Sequence, residues 1–310
     1  MPTAPRVTVI IPVYRADATL PLVLSALRAQ LPDDTEVVAV DSTGVEHAAE
    51  LERTHPWLRV IGLSQRTLPG EARNLGVESA SGSLLAFLDA DALPGPEWLA
   101  RLRAALHDGG AVAAAGSVRN GTPRDVVGTT SYLLEFSEWR PARRGSPLHG
   151  ATCNLLVDRA AFESAGGFCE DVWPGEDTIL TLPWGQSNRL VFARAAQIWH
   201  LNRTGLPELL RHQYRLGRSF ATICDRVDFP HGYFSRWPFL PAAPGLRLLA
   251  LGLRLSAEPR RLRQTLGLSP LLGLGLLAWT AGVASERRRT QQSAPGAASN
   301  GVASTRASAR

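Results

Sequence analysis

Two aspartates that follow an apolar run are the sharpest chemical feature of this sequence. Asp89 and Asp91 come directly after LLAFL, whose composition predicts a buried strand. Carboxylates separated by one residue on a strand-exit turn can share a divalent cation, and hard oxygen ligands suit Mg²⁺ or Mn²⁺. Such a cation would neutralise a diphosphate. The same spacing also occurs in solvated turns with capping aspartates, so the two aspartates alone do not decide between these interpretations.

A second acidic pair and one histidine are further candidates. Glu176 and Asp177 stand at the predicted start of a helix, where acidic residues usually compensate the helix dipole. His200 ends a short apolar strand, AQIWH, and a single histidine is more often a surface or satisfied core residue than a ligand. Taken alone, neither feature indicates chemistry.

The elements that must position these residues alternate along the first third of the chain. The predicted strands are 7–13, 36–40, 58–63 and 84–88, and the predicted helices are 18–30 (capped by Asp17), 69–80 and 96–106. Repeated strand–helix–strand units predict an α/β fold with a mostly parallel sheet that helices cover on both faces. In such sheets ligands bind beyond the carboxyl ends of the strands, where Asp41, Asp89 and Asp91 lie.

The regular pattern fades in the middle of the chain. Residues 117–150 are polar and rich in Arg and Gly, which predicts a long functional loop that could contact an acceptor. A strand at 152–157, a helix from Asp158 and a helix beginning at 175–177 complete the predicted body.

Charge divides the chain into unlike parts. The net charge is +5, yet residues 232–310 contain 11 Arg against Glu258 and Glu286, so the remainder is mildly acidic. A basic, Leu-rich end predicts attraction to anionic lipid and argues against nucleic acid as a partner. The three cysteines are widely spaced and odd in number, which indicates a reducing compartment rather than a disulfide framework or zinc site. The short apolar run near the N-terminus does not suffice for a signal peptide.

The C-terminal part is predicted to be helical and to associate with a membrane. The segment after Gly205 has the period of an amphipathic helix, on which Arg211, Arg215 and Arg218 could contact a phosphate or simply face solvent. Residues 265–284 are free of charge and would just span a bilayer, but Pro and Gly residues equally favour helices that lie in the interface. Residues 290–310 have a disordered composition.

The order of motifs resembles family 2 glycosyltransferases of the GT-A fold. The matching segments are VTVIIPVYRADATL, VVAVDSTG, GEARNLGVESASGSLLAFLDADALPGPEWL, HGATCNLLVDRAAFESAGGF and WPGEDTILTL. Together they span residues 7–200, about two thirds of the chain. The resemblance implies a GT-A domain over residues 1–205, followed by a membrane-associating helical region at 206–289 and the tail at 290–310.

The resemblance also implies roles for individual residues. The nucleotide-sugar donor would contact Pro12, Tyr14, Asp41, Arg73, Asn74, Asp89 and Ala90. Asp91, Asp89 and His200 would hold the Mg²⁺ or Mn²⁺ ion. Asp177 would remove the acceptor's proton in an inverting displacement, with Glu176 as the alternative base. Trp173 could stack on a sugar ring, although core filling is the usual role of tryptophan.

Several alternatives stay open at this point. The donor base is undetermined, and the acceptor could be lipid-linked, a polysaccharide or a small molecule. The expected location is the cytoplasmic face of a membrane, either peripheral or with a single span. A catalytically silent binding protein of the same fold is a rival, because a fold alone does not fix activity. A sugar nucleotidyltransferase and a dinucleotide dehydrogenase are disfavoured, since no glycine-rich loop follows the first strand.

Overall fold

The computed structural model describes residues 6–107, 110–230, 232–236, 238–256 and 258–293. Its strands are β1 (Val7–Val13), β2 (Thr35–Asp41), β3 (Arg59–Gly62), β4 (Leu84–Leu88), β5 (Ala92–Pro94), β6 (Ala113–Asn120), β7 (Asn154–Asp158) and β8 (Leu190–His200). They form one sheet in the order β3-β2-β1-β4-β7-β6-β8-β5.

Helices cover this sheet and extend beyond its last strand. They are α1 (Leu20–Arg28), α2 (Val45–Thr54), α3 (Pro69–Ser79), α4 (Trp98–Leu106), α5 (Val126–Phe136), α6 (Arg159–Ser164), α7 (Glu176–Gln186), α8 (Leu206–Arg226), α9 (Ala243–Leu255), α10 (Pro259–Gly267) and α11 (Ser269–Ser293). Short 3-10 helices lie at Ser137–Trp139, Gly232–Ser235 and Leu240–Ala242.

The sheet is parallel in one half and mixed in the other. Strands β3, β2, β1 and β4 run parallel, which confirms the arrangement that the alternating pattern predicts. Beyond β4, strand β7 pairs antiparallel with both β4 and β6, and β5 pairs antiparallel with β8, while β6 and β8 are parallel. The chain therefore has an α/β fold of GT-A type with a mixed sheet.

Side chains that alternate along β1 show why the sheet is buried on both faces. Val9 and Ile11 pack in the layer of α1 and α4, around the fully buried Trp98. Ile10 points to the opposite layer, where it joins Phe87 and the aromatic side chains near α6. A strand buried on both faces is largely apolar, which explains the run from Val9 to Val13. The buried hydroxyl of Thr8 donates a hydrogen bond to Glu36 at 2.5 Å.

Three local predictions differ from the structure. The first helix begins at Leu20 after Thr19, so Asp17 does not cap it. Helix α2 was not predicted. The predicted loop at 117–150 is wrong in part, because its first residues belong to the end of β6 and α5 follows them. Asp125 caps α5 by accepting a hydrogen bond from Gly128 N at 2.6 Å. The end of β6 and helix α5 were not recognised from sequence, because they contain small and β-branched residues and lie among polar residues.

The C-terminal helices pack on the body of the protein. Helices α8 and α11 cross closely, since a Cβ at Gly217 would lie 1.9 Å from the Trp279 carbonyl oxygen and one at Gly282 would lie 2.0 Å from the Tyr214 carbonyl oxygen. The candidate span 265–284 is divided between α10 and α11. None of the helices in the described ranges combines the length and apolarity needed to cross a membrane. Helix α11 reaches Ser293, and the rest of the predicted tail, 294–310, lies outside the described residues.

Candidate active site

A cavity of about 660 Å³ opens where β1, β4 and β8 end. This volume lies within the range typical of ligand pockets in proteins. Its lining comes from the exits of these strands, from α3 and from the start of α7, and also from α5, α8 and α11. Of the residues predicted from sequence, the lining contains Pro12, Tyr14, Arg73, Asp89, Ala90, Asp91, Trp173, Glu176, Asp177 and His200.

Strand pairing brings Asp91 and His200 together although they are far apart in sequence. His200 ends β8 opposite Ala92, the first residue of β5. The backbone oxygen of Asp91 accepts a hydrogen bond from Leu201 N at 2.8 Å. As a result, one ligand atom each from Asp89, Asp91 and His200 lies within 4.8 Å of the others. This is the cluster that the sequence predicts as a metal site.

The chemistry of this cluster fits a divalent cation. His200 is 4% exposed, its Nε2 lies 3.4 Å from an oxygen of Asp91, and its buried Nδ1 has no hydrogen-bond partner among the residues that the structure describes. Burial raises the pKa of Asp91, and the nearby carboxylate of Asp89 raises it further. Two carboxylates and one imidazole form a donor set that suits Mn²⁺ and, through the oxygens, Mg²⁺. A cation here would relieve the repulsion between the two carboxylates.

A buried arginine joins the metal side of the cavity to the acidic pair on α7. Arg73 is 3% exposed, and its guanidinium donates to Glu176 Oε1 at 2.5 Å and to Asp89 Oδ1 at 2.6 Å. Burial opposes the charge of Arg73, but the two carboxylates outweigh this and raise the pKa of Arg73. The guanidinium also lies over the Phe168 ring, 5.6 Å from its centroid. Its position is therefore fixed on three sides.

The acidic pair begins α7 behind a glycine that no other residue replaces easily. Gly175 has φ +110°, and a Cβ there would lie 2.5 Å from Ile223 of α8. Glu176 is 3% exposed and both of its oxygens are engaged, one by Arg73 and the other by Gly175 N at 3.0 Å. Burial raises the pKa of Glu176 to about 7 despite Arg73, and the adjacent Asp177 contributes.

Asp177 is the more accessible member of the pair. One of its oxygens accepts a hydrogen bond from Thr178 N at 2.7 Å, and the other accepts a long one, 3.3 Å, from Thr152 N. Burial raises the pKa of Asp177, while Arg73 opposes this effect. A half-buried carboxylate with a raised pKa and a weakly engaged oxygen is suited to accept a proton.

The opposite end of the cavity follows β1 and β3. The Tyr14 ring is 38% exposed there, and the guanidiniums of Arg15 and Arg66 lie 5.3 Å and 4.9 Å from its centroid. Sequence reasoning missed Arg66, although its place after a parallel strand was a usable signal. Asp41 is fully buried and contacts His47 and Thr43 N, and its neighbour Ser42 lines the cavity instead.

Besides Asp41, four predicted contact residues lie outside the cavity lining. Asn74 donates to Phe168 O at 2.9 Å and accepts from Phe168 N at 3.0 Å, so it holds α3 to the segment after α6. The remaining three are arginines of α8. Their partners are Glu208 for Arg211, the Trp173 ring for Arg215 and Glu286 for Arg218.

A second buried acid, which sequence reasoning missed, lines the same cavity. Glu135 accepts from Ser131 Oγ at 2.8 Å and Gln213 Nε2 at 3.3 Å, and it pairs with His212 at 3.2 Å and Arg203 at 3.4 Å. Burial opposes its ionisation, but His212 and Arg203 outweigh it and lower the pKa of Glu135 to about 2. The wrong loop prediction hid Glu135, because the end of α5 was not recognised as helix.

Comparison with known proteins identifies the family. The model of glycosyl transferase family 2 matches residues 8–165. The chain belongs to this family. It is a glycosyltransferase, as are curated relatives that it resembles over larger parts of its length.

Relatives in the family match the chain to different extents. The glycosyltransferase AglE of Haloferax volcanii is 27% identical over 301 residues, which cover 93% of this chain and 96% of that protein. A validoxylamine A glucosyltransferase of Streptomyces hygroscopicus subsp. limoneus is 37% identical over 213 residues, 57% of this chain and 47% of that protein. The chain thus spans about half the length of the second relative.

A solved structure shares the fold across nearly the whole chain. The mannosyltransferase PcManGT from Pyrobaculum calidifontis, solved in complex with GDP-Man and Mn²⁺, superposes with a TM-score of 0.64 at 21% identity. The alignment covers 94% of this chain and 89% of that one. At this identity the likeness establishes the fold.

Much of the cavity of this family 2 glycosyltransferase lies beyond the matched residues. Past residue 165, α7 and β8 contribute Asp177 and His200, and the C-terminal helices contribute an apolar wall. That wall consists of Leu216, Phe220, Ile223, Phe229 and Trp279. The C-terminal helices are therefore part of the site in the described protein.

Proposed function

We propose that this glycosyltransferase moves a sugar from a nucleoside diphosphate donor to an acceptor hydroxyl with inversion, with a divalent cation and with Asp177 as the base. One observation carries the proposal: Asp89, Asp91 and His200 cluster in the same cavity that Asp177 lines. A cation site and a base on one cavity are what a single displacement of a diphosphate requires.

The donor would occupy the end of the cavity at β1, with its diphosphate toward the acidic cluster. Structural neighbours support this class of donor, since PcManGT was solved with GDP-Man and Mn²⁺ and S. aureus TarS with UDP-GlcNAc. TarS has a TM-score of 0.54 and 18% identity to this chain. The Tyr14 ring offers a stacking surface for the base or ribose. The two neighbours bind different bases, so the donor base stays open.

Asp89, Asp91 and His200 would hold Mn²⁺ or Mg²⁺. When bound, the cation would offset the negative charge of the departing diphosphate. Arg73 lies beside it and fixes the Asp89 carboxylate, so the orientation of that ligand is set before the donor arrives. The Nε2 of His200 lies 3.4 Å from an oxygen of Asp91, which supports this imidazole as the third ligand.

Asp177 would take the proton of the acceptor hydroxyl as that oxygen attacks the anomeric carbon. Glu176 is the weaker candidate, because Arg73 and Gly175 N occupy both of its oxygens. A single displacement inverts the configuration of the anomeric carbon, which is the outcome we propose. Thr152 N and Thr178 N orient the Asp177 carboxylate without saturating it.

The acceptor would enter along the apolar wall of α8 and α11. An apolar wall beside a polar site suits an acceptor whose hydroxyl is attached to a lipid. A curated relative supports this choice: an undecaprenyl-phosphate 4-deoxy-4-formamido-L-arabinose transferase of Aeromonas hydrophila is 34% identical over 173 residues, 46% of that protein. We propose a lipid-linked acceptor at the cytoplasmic face of a membrane, and polysaccharide or small-molecule acceptors are the alternatives for the test.

A donor screen on the full chain tests the proposal. Release of UDP, GDP or dTDP from common nucleotide sugars would be followed with Mn²⁺, with Mg²⁺ and with chelator, in the presence of each acceptor class. We expect release that needs metal and that Asp91→Ala abolishes. Asp33→Ala, which removes an exposed carboxylate outside the cavity lining, is the matched control. Binding of donors without any release would favour the catalytically silent binding protein.

A further inference from the structure

Helix α9 is apolar on two opposite faces. Leu251 and Leu255 are 4% and 1% exposed and pack toward the body of the protein. On the other side, Leu246, Leu249 and Leu253 follow the spacing of one helix face and are 40%, 58% and 67% exposed. The outward face of a helix in a water-soluble domain is normally polar, so this face calls for a partner.

Helix α11 repeats the pattern. Leu272 and Leu276 are buried, whereas Leu274 and Leu277 are 45% and 60% exposed on the other side. Helices α9, α10 and α11 pack against one another, so these residues belong to one part of the molecule. We call the following set the leucine surface: Phe239, Leu246, Leu248, Leu249, Leu253, Leu266, Leu274 and Leu277.

The leucine surface gathers much of the exposed apolar area of the described protein. Its eight members lie within residues 239–277, whereas the other exposed large hydrophobic residues among those described are scattered from Tyr14 to Tyr214. Scattered exposed hydrophobic residues are ordinary, but a concentration of this kind marks an interaction site.

The charges beside the leucine surface are cationic. Arg236, Arg263 and Arg288 are exposed. Among the described residues from 232 onward, the acidic side chains are Glu258 and Glu286, and both are held by arginines in ion pairs. Leucines flanked by exposed arginines are the pattern of helices that lie in the interface of a bilayer and attract anionic lipids.

We propose that the leucine surface docks onto a bilayer that contains anionic lipid, with α9, α10 and α11 lying in its interface. The inference rests on the proposed function for its membrane location and adds the residues that make the contact. Helix α11 bears both Leu277 of this surface and Trp279 of the cavity wall, and Arg247 of α9 stacks on Trp279 at 4.3 Å. A bilayer held here would thus lie on the other side of α11 from the acceptor side of the cavity.

Vesicle flotation of the full chain tests the docking surface. The vesicles would be phosphatidylcholine alone and phosphatidylcholine with one quarter phosphatidylglycerol. Leu249→Glu with Leu253→Glu changes two side chains that are more than half exposed, so the fold should persist. We expect this double variant to weaken binding to the mixed vesicles at least ~10-fold, since charged side chains are excluded from the apolar layer. Leu22→Glu with Val126→Glu, at exposed positions elsewhere, should bind as the wild type does.

A second pair of variants tests the charge. Arg263→Glu with Arg288→Glu should remove most of the preference for phosphatidylglycerol, because each basic residue near an anionic surface contributes roughly 1 kcal/mol, or about fivefold in affinity. Equal binding of the leucine variant and the wild type would overturn the proposal. A second result would also overturn it: in sedimentation analysis the wild type is a dimer and the leucine variant is a monomer, and the wild type does not bind vesicles. A second copy of the chain would then cover the leucine surface.

Nucleotide release separates this proposal from the proposed function. The leucine variant should keep metal-dependent donor hydrolysis in solution, which also shows that it is folded. In a different outcome, neither the wild type nor any variant releases nucleotide, while the wild type floats with vesicles and the leucine variant does not. That result would refute the proposed donor chemistry and support the docking surface.

Discussion

Two groups of buried acids line one cavity, and their surroundings are opposite. Glu135 pairs with two basic side chains and accepts hydrogen bonds from a hydroxyl and an amide. The basic side chains outweigh the effect of burial and lower the pKa of Glu135 to about 2. Asp91 lies beside Asp89 instead, and Glu176 lies beside Asp177, and burial raises the pKa of Asp91, Glu176 and Asp177 although Arg73 contacts Glu176. Glu176 is as well buried as Glu135, with side chains 5% and 8% exposed, so the difference between these two acids lies in their partners.

The comparison separates an acid that we assign to the stability of the fold from the acids that we propose for the reaction. The charge of Glu135 is compensated within the protein, so its ionised form stabilises the fold. Burial disfavours the ionised form of a carboxylate that faces the cavity, so a nearby cation or a bound proton would stabilise the group. At Asp91 this would be the bound cation, and at Asp177 it would be the proton of the acceptor. Variants of the two groups should therefore affect different properties.

Asp177→Asn should give the largest effect. Loss of the base should lower kcat by ~10²- to 10⁴-fold, whereas the dissociation constant of the donor should change little, because the asparagine cannot accept the acceptor's proton. Steady-state turnover and donor titration with Mn²⁺ would measure both quantities. Glu176→Gln is the matched comparison at the adjacent position. A larger loss of kcat in Glu176→Gln than in Asp177→Asn would reverse their assignment.

Glu135→Gln should act on stability instead. It leaves His212 and Arg203 beside a neutral amide in a buried setting, so the free energy of unfolding should fall by ~3 kcal/mol. Urea unfolding at neutral pH would measure the change, with Glu208→Gln as an exposed control that should cost less than ~1 kcal/mol. A loss of metal binding without a loss of stability would place Glu135 in the functional group.

The pH dependence of this loss sharpens the contrast. The folded-state pKa of Glu135 is about 2, below its ordinary value of 4.5, so its ionisation stabilises the folded protein fully above pH 4.5. This stabilisation is lost as the pH falls toward 2. The difference in unfolding free energy between wild type and Glu135→Gln should accordingly be constant near neutral pH and shrink below pH 4.5. A difference that grows on acidification has the wrong sign for this account.

Arg203→Gln should give the smallest effect. Arg203 is 35% exposed and 3.4 Å from Glu135, and His212 with the neutral donors remains in place. The free energy of unfolding should fall by only about 0.2–1 kcal/mol, as for other partly exposed ion pairs. Thermal unfolding of this variant beside Glu135→Gln would show whether the cluster tolerates loss of one partner.

The sequence predicted the parts of the site that follow strands. Asp89 and Asp91 were predictable because an apolar run before an acidic turn gives the position of a strand exit. The meeting of Asp91 with His200 was expected from family resemblance, and the physical reason appears only in the β5–β8 pairing. Strand register between distant segments is not encoded in a local pattern.

The parts that were missed depend on tertiary contacts. Glu135 stands in a segment whose small and β-branched residues concealed α5, so its helix was taken for a loop. Asn74 matched a family motif, yet its amide bonds to Phe168 rather than facing the cavity. The apolar wall at Trp279 depends on how α11 packs across α8. Local sequence gives neither the packing partner nor the face that a helix turns inward.

The proposed reaction depends on Asp91, which would help hold the cation that binds the donor diphosphate. Calorimetric titration of the full chain with GDP and UDP, in Mn²⁺ or in chelator, measures this dependence. In the wild type, at least one nucleotide should bind with Mn²⁺ and lose ~100-fold or more in affinity with chelator, and Asp91→Ala should show the weak affinity in both conditions. Equal affinity of Asp91→Ala and wild type in the presence of Mn²⁺ would contradict the account.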